Sequence, residues 1–469
     1  MKLPRLLPDK AYIGASLFLP LSKVSEGPIR GALTFGLGKD NEPRILVKNH
    51  PTHIEVPRGF LTLQQLKEDL GIEVIDLRPR EFPRSSLRPK PGFALRDRQL
   101  EPWAAFKDSK GSVLHLPCGA GKTVMGLYKA AHDGLATLIV SPQAAHLDNW
   151  LSEMQQFFDL DSEPGRVGDG KMEYDREVVL CTVQTLATRS EDGKLPLDFA
   201  HRFGTIIFDE CHHMSAEFFA RSIDLCLGNR FGLTATPKRT DRNEGVFLSH
   251  IGPIVYSDDT QEMIPEIEVI ELDTTLTDAD EKLIQDRSKQ RNLAMLKSWL
   301  AQNTERNAAI SRRLTQAVAE GRTIYALSHS VEHVNTLAAA FPGSGLITGD
   351  TPSDERLKQL NKSKIVFATF GVATENYNRK DLDCLFILTP LAADGYAEAP
   401  QLRQAIGRVQ RAAQGKKTPE VIIFLDRNID ECKGLTYSVL NYLKSKNYPF
   451  RTSTWNSKRR NPMGRTSKT

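Results

Sequence analysis

A chain of 469 residues, 26% charged and 40% hydrophobic, has material for two or three domains and lies outside the disordered and fibrous classes. A net charge of +4 is too small to argue for a polyanion partner, so any basic stripe has to come from local clustering. Six cysteines without a CxxC pair, no apolar run of about eighteen residues and no signal-like start argue against a disulfide scaffold, a membrane span and secretion; reduced thiols in a cytoplasm are expected.

Residues 1 to about 76 read as short strands, in AYIGASLFL and RILVKNHPTHIEV, followed by a helix in TLQQLKEDLG that stops at Gly71. That is a small α+β module. It could recognise a nucleic-acid junction or brace the next domain, and Arg58 could meet phosphate or sit in solvent. The stretch LRPREFPRSSLRPKPG, with four prolines and four arginines, marks a linker, giving an accessory segment 1–88.

From Leu95, strand-like runs alternate with helical stretches through SVLHL, TVMGLYKAAHDG, ATLIVS, HLDNWLSEMQQFF, EVVLCT and GTIIFDE. A second series follows Glu266: IEVIEL, a long polar helical region over 280–320, TIYALS, KIVFAT, CLFILT and VIIFLD. The fold class predicted is α/β, two tandem parallel-sheet domains over 89–264 and 265–450, behind the N-terminal module. A basic tail, 451–469, closes the chain, with Trp455, Lys458, Arg459 and Arg460 either gripping nucleic acid or forming a disordered end.

LPCGAGKT, Leu116 to Thr123, sits between a strand and a helix, where backbone N–H groups and a positive helix end can cradle a triphosphate. Gly119, Ala120 and Gly121 form the turn, Lys122 reaches the β and γ phosphates, and the Thr123 hydroxyl ligates Mg²⁺. Leu116 replaces the first motif glycine; the bland alternative is a glycine-rich turn. In FDECHH the apolar run before Asp209 places both carboxylates at a strand's carboxyl end, Asp209 to hold the metal and Glu210 to orient and deprotonate water. Cys211, His212 and His213 invite a zinc reading, but no second ligand group stands at suitable spacing. In QAIGRVQR, Gln404, Arg408 and Arg411 are predicted on one helix face, from which the arginines would stabilise charge on the transferred phosphoryl group; an exposed basic face is the alternative.

This order of motifs resembles the superfamily 2 helicases over roughly 95–426, and within them the XPB and UvsW-like branch. The resemblance implies two RecA-like lobes closing on one ATP. It implies that Gln99, with Arg96 beside it, reads adenine, that Thr234 and Thr236 link the sites, and that Glu375 joins the nucleotide contacts. By the same resemblance Pro142, Gln143, Thr182, Gln184, Ser328, His329, Thr348 and Thr369 fall on the nucleic-acid backbone, where hydroxyls and amides grip without reading bases. Glu375-Asn376-Tyr377-Asn378 lacks the family's final carboxylate, which puts the efficiency of energy transfer in doubt. The implied activity is an ATP-dependent DNA helicase or translocase, 3′ to 5′, on branched DNA, monomeric, with ATP and Mg²⁺ as cofactors and a bacterial or phage-infected cytoplasm as its place. RNA unwinding and a nucleic-acid clamp without motor activity are the rival readings.

Overall fold

The computed structural model describes residues 6–37, 43–117, 119–213, 222–235, 244–258, 260, 263–285, 291–373, 379–391, 400–411, 413 and 415–455. The chain divides into two compact units, 1–259 and 260–469, each built around cores of its own.

The first unit begins with β1 (Ala11–Ile13), β2 (Ser16–Pro20), α1 (Glu26–Ala32), β3 (Thr34–Leu37), β4 (Pro43–Ile45), β5 (Lys48–Asn49), β6 (His53–Pro57) and β7 (Val74–Asp76). Five of these strands form one sheet in the order β5-β6-β2-β1-β7, antiparallel except for the β1–β7 pair. The predicted helix before Gly71 is a single wide turn over Gln65–Asp69, and Gly71 ends it at φ +60°. Leu17, Leu19, Ile54, Val56 and Leu66 form the small core.

Arg58 is 7% exposed and faces inward. Its Nη1 donates to the carbonyls of Gly14 (3.1 Å) and Leu227 (2.7 Å), and its Nη2 donates to that of Gly228. Arg230 answers from the other side, donating to Ala15 O at 2.7 Å and His250 O at 3.0 Å. A Cβ on Gly59 would stand 2.5 Å from the Gly252 nitrogen, so the two backbones touch there. The phosphate role raised for Arg58 is therefore corrected: five-donor guanidinium geometry suits a cluster of carbonyl acceptors, and here it ties the module to the body of the unit. Burial, and then the charges of Arg230 and Arg78, push the Arg58 pKa well down. Arg58→Met should leave three buried carbonyls without their donor and cost on the order of 3 kcal/mol, read as a drop of several degrees in the melting temperature.

The body of the unit holds β8 (Arg88–Pro89), α2 (Asp97–Phe106), β9 (Gly111–His115), α3 (Lys122–Asp133), β10 (Thr137–Ser141), α4 (Ala144–Phe157), β11 (Phe158–Asp159), β12 (Gly165–Gly168), β13 (Lys171–Met172), β14 (Val178–Thr182), α5 (Val183–Glu191), α6 (Phe199–Arg202), β15 (Thr205–Phe208), β16 (Asn229–Thr234), α7 (Glu244–Ile251) and β17 (Ile254–Ser257). Eight strands align as β13-β12-β14-β10-β15-β16-β9-β17, parallel throughout except for the β12–β13 hairpin. Both faces are covered, so strands read as unbroken apolar runs: along β15, Ile206 and Phe208 enter one core and Ile207 the other. The proline-rich linker is pinned, with β8 pairing to β11 and the Ser86 hydroxyl donating to Glu177 at 2.7 Å.

The second unit contains β18 (Glu266–Leu272), α8 (Asp278–Leu283), α9 (Leu293–Gln302), α10 (Thr304–Ala319), β19 (Ile324–Ser328), α11 (Val331–Ala340), β20 (Gly345–Ile347), α12 (Ser353–Lys362), β21 (Ile365–Thr369), α13 (Phe370–Ala373), β22 (Cys384–Ile387), α14 (Pro400–Val409), β23 (Glu420–Asp426), α15 (Asp430–Ser445) and β24 (Phe450–Thr454). Its sheet is parallel in the order β20-β21-β19-β22-β23-β18-β24. Two expectations change. The long helical region is three helices, because Asn292 and Asn303 each cap a new start through a side-chain oxygen. Residues 451–454, assigned by composition to the tail, are the last strand of the sheet. Trp455 follows it and carries the Arg312 guanidinium 5.2 Å over its ring; residues 456–469 lie outside the described residues.

Candidate nucleotide and nucleic-acid sites

Because the strands of the first sheet run parallel, β9, β16, β15, β10 and β14 all end on one edge, and every motif of that lobe lies just beyond it. Gly119 and Gly121 take φ of +87° and +85°, a region glycine enters without strain, and Gly121 is the residue from which α3 starts. The first turn of α2 grips this loop. Gln99 Nε2 donates to Ala120 O at 3.0 Å, Arg96 Nη2 to the same carbonyl at 3.3 Å, and Arg98 Nη2 to Gly119 O at 2.8 Å. Since C=O and N–H of a trans peptide point opposite ways, fixing the Ala120 carbonyl aims the Gly121 N–H away from α2.

Gln99 is 3% exposed and its Oε1 accepts the Arg96 N–H at 3.0 Å. Arg96 Nε also donates to that oxygen at 3.4 Å, so both of its lone pairs are taken and Gln99 keeps one amide proton while it anchors the loop.

Lys122 reaches back across the loop, donating to Leu116 O at 3.3 Å, with its Nζ 3.7 Å from Glu210 Oε1. Asp209 and Glu210 follow β15 and are 4% and 5% exposed. Glu210 sits at φ +42°, a strained conformation for a residue with a side chain, and three contacts fix it: its N–H donates to Asp209 Oδ1 at 3.0 Å, Ala235 N–H donates to its Oε2 at 3.4 Å, and His212 Nδ1 lies 3.3 Å from Oε2. Burial, then the Glu210 charge, raise the Asp209 pKa, opposed by His146, by the Trp150 hydrogen bond and by Lys122. Thr234 Oγ1 bonds His212 Nδ1 at 2.8 Å, joining the end of β16 to the acidic pair. Thr236 and Glu375 lie outside the described residues.

Sequence reasoning missed one wall of this site. Helix α4 turns His146, Asn149 and Trp150 to one side: Trp150 Nε1 donates to Asp209 Oδ2 at 2.9 Å, Asn149 Nδ2 donates to Thr123 Oγ1 at 3.4 Å, and His146 is 4% exposed. The signal was the i, i+3, i+4 spacing in HLDNW directly after a motif-bearing strand.

The proposed backbone contacts divide into two groups. In the first unit Pro142 and Gln143 follow β10 and Thr182 ends the neighbouring β14, with Ser141 opposite Thr182 in register; Gln143 and Gln184 are exposed, and Thr182 caps α5 by accepting the Thr185 N–H at 3.2 Å. In the second unit Ser328 and Thr369 are register partners and Thr348 follows β20 on the same edge. Ser328 is fully buried and its hydroxyl is occupied, 3.0 Å from His333 Nδ1 and accepting the Ser330 N–H at 3.1 Å, so it shapes the loop while His329 and Ser330 form the surface.

Gln404 and Arg408 lie on α14. Arg408 is 4% exposed, its guanidinium 5.9 Å from the Tyr325 ring centre. The single helical face predicted for Arg408 and Arg411 is corrected: the helix ends at Val409, Gln410 N makes the last bond back to Ile406 O at 3.1 Å, and Lys416 Nζ donates to the Arg411 carbonyl at 2.6 Å in the bend after it.

Residues 87–239 match the family model described as the res subunit of type III restriction enzymes. The chain is 26% identical over 347 residues to the "Probable helicase D10" of Escherichia phage T5, covering 71% of this chain and 72% of that protein. It is 31% identical over 198 residues to the "DNA 3'-5' translocase XPB2" of Sulfurisphaera tokodaii, covering 41% and 43%. The chain resembles the superfamily 2 helicases, with an XPB-type DNA translocase among its relatives. These likenesses mark an enzyme of the ATP-dependent helicase class, with ATP as cofactor and nucleic acid as partner. It spans less than half the length of the archaeal relative. A structure of the Mycobacterium smegmatis helicase Lhr, bound to single-stranded DNA and AMP-PNP, aligns with a TM-score of 0.50 at 14% identity over 76% of this chain and 49% of that one, which places both sheets in the RecA-like fold. Among the described residues no helix is long and apolar enough to cross a membrane.

Proposed function

We propose that the chain is an ATP-driven DNA translocase that moves 3′ to 5′ and remodels branched DNA. One observation carries the chemical part: a half-buried lysine and a strained buried glutamate face each other at 3.7 Å across the glycine loop, at the carboxyl edge of a parallel sheet. Gly119, Ala120, Gly121 and Lys122 would hold the triphosphate, with Gln99, Arg96 and Glu375 toward the base and sugar. The Thr123 hydroxyl and the Asp209 carboxylate suit a hard divalent cation, and Asp209 is a carboxylate whose ionisation burial disfavours until a cation arrives. Mg²⁺ bound there would neutralise charge developing on the phosphoryl oxygens. Glu210 would orient the attacking water and take its proton; Gln404, Arg408 and Arg411 would complete the site when ATP draws the lobes together, and release after hydrolysis would let one lobe step.

The direction rests on likeness to the archaeal relative, a DNA 3'-5' translocase. Branched DNA suits a module that Arg58 and Arg230 lock to the first lobe, since a rigid extension can press on a junction as the motor advances. We place the protein, as a monomer, in a bacterial or phage-infected cytoplasm, in keeping with the buried thiols of Cys181, Cys384 and Cys432.

Phosphate release measured with forked DNA, linear duplex and single-stranded RNA tests the substrate. Forked DNA should stimulate most. A preference for RNA would overturn the DNA assignment, equal stimulation by fork and duplex would remove the branched part, and bound ATP without turnover would leave a clamp.

A further inference from the structure

We infer that Lys297, on α9 and outside the helicase motifs, is a phosphodiester-binding residue, and that the groove it lines holds the backbone of the translocated strand. The inference rests on the nucleic-acid reading of this chain and adds a contact to it.

The groove, of about 520 Å³, runs between α9, through Leu293, Ala294, Lys297 and Ser298, and the turn after β19, through His329 and Ser330. Lys297 is half-buried and, among the described residues, makes no hydrogen bond or ion pair. Burial lowers its pKa, as it does for an ammonium that no carboxylate compensates. Most half-buried lysines in folded chains either pair or snorkel; this one opens on a groove whose other polar groups can donate.

Thr389 Oγ1 accepts the His329 backbone N–H at 3.1 Å and lies 2.9 Å from His329 Nδ1. Giving its own proton to Nδ1 leaves Nε2 as the ring's N–H donor. The ring is held against Phe370, centroids 4.5 Å apart, and burial with the Lys297 charge pushes its pKa down to about 4, so it is neutral near pH 7 and does not repel the lysine. Ser330 caps α11 by accepting the His333 N–H at 3.2 Å, which leaves its hydroxyl proton for an incoming oxygen. An ammonium, a neutral imidazole N–H and a hydroxyl around one groove recognise an anion with several oxygens.

That anion is a diester in a chain, because His329 and Ser330 directly follow β19, whose last residue Ser328 pairs in register with Thr369, and because Leu293 and Met295 leave 40% and 41% of their surface exposed beside the groove, apolar footing for sugars and base edges.

The test uses the full chain, a fluorescent thymidine oligonucleotide and a mixed-sequence one, with affinity measured from low to moderate salt. Lys297→Gln should weaken both equally and flatten the slope of log affinity against log salt by about 0.7, one phosphate contact on a single strand. Lys297→Arg should restore the slope, and affinity for ATP should not change in either variant. In the wild-type chain, bound oligonucleotide should slow acylation of the Lys297 amine, a reading that needs no variant to fold. An unchanged slope in a chain that binds DNA, no protection from acylation, or competition by ATP or inorganic phosphate alone would overturn the groove assignment and leave the motor reading standing. A wild-type chain with no affinity for DNA would overturn both.

Discussion

Glu210→Gln is expected to bind ATP and release almost no phosphate, with turnover lower by about a hundredfold to ten-thousandfold, the range spanned by the loss of a positioned general base. The substitution is a narrow one. Glutamine keeps an oxygen to accept the Ala235 N–H beside His212, so the φ +42° backbone keeps those supports while the oxygen that faced Lys122 and the proton acceptor are gone. It should also be at least as stable as the parent. The Glu210 charge is one cause of the raised Asp209 pKa, so removing it relieves a buried carboxylate of a like charge, and a site under such strain is where activity and stability trade against each other. Parallel measurements of nucleotide affinity, phosphate release and melting temperature check this. Near-normal release, or a large loss of stability, would remove Glu210 from the role given to it.

Arg408→Ala should lower turnover by about a thousandfold or more while ATP binding is preserved, because a cation that meets the transferred phosphoryl group stabilises the transition state and not the ground state. Arg408 is 4% exposed and lies over the Tyr325 ring, so truncation also loses packing in the second lobe. Arg408→Gln separates the two effects: it fills much of the same volume without the charge. If both variants melt like the parent and both lose turnover, charge is the cause. If turnover survives in either, the arginine belongs to the fold of its own lobe and the shared-site mechanism is withdrawn.

The architecture was legible because a parallel sheet covered on both faces writes itself as apolar runs separated by helices, and GTIIFDE or VIIFLD admits little else. Lys122, Asp209 and Glu210 were legible for a related reason: residues just past a parallel strand fall on the ligand edge whatever the loops do. What stayed hidden depends on partners distant in sequence. Arg58 reads as a surface charge and Arg230 carries no sequence signal, and only the convergence of the carbonyls of Gly14, Ala15, Leu227, Gly228 and His250 makes their burial tolerable. Trp150 reads as core, which it is, yet its single N–H is committed to Asp209. Strand β24 escaped notice because all five of its side chains are exposed, so no alternation marks it; its pairing to β18 is a backbone affair. The Arg408 and Arg411 face failed on a boundary, where one helical residue more or less decides which way a side chain points.

Displacement of a third strand from a DNA triplex, followed with ATP present, tests most directly whether hydrolysis at this site moves the protein along DNA. The parent chain is expected to strip the strand in an ATP-dependent manner, with Glu210→Gln inert. Rapid DNA-stimulated phosphate release with the triplex left intact would contradict a motor.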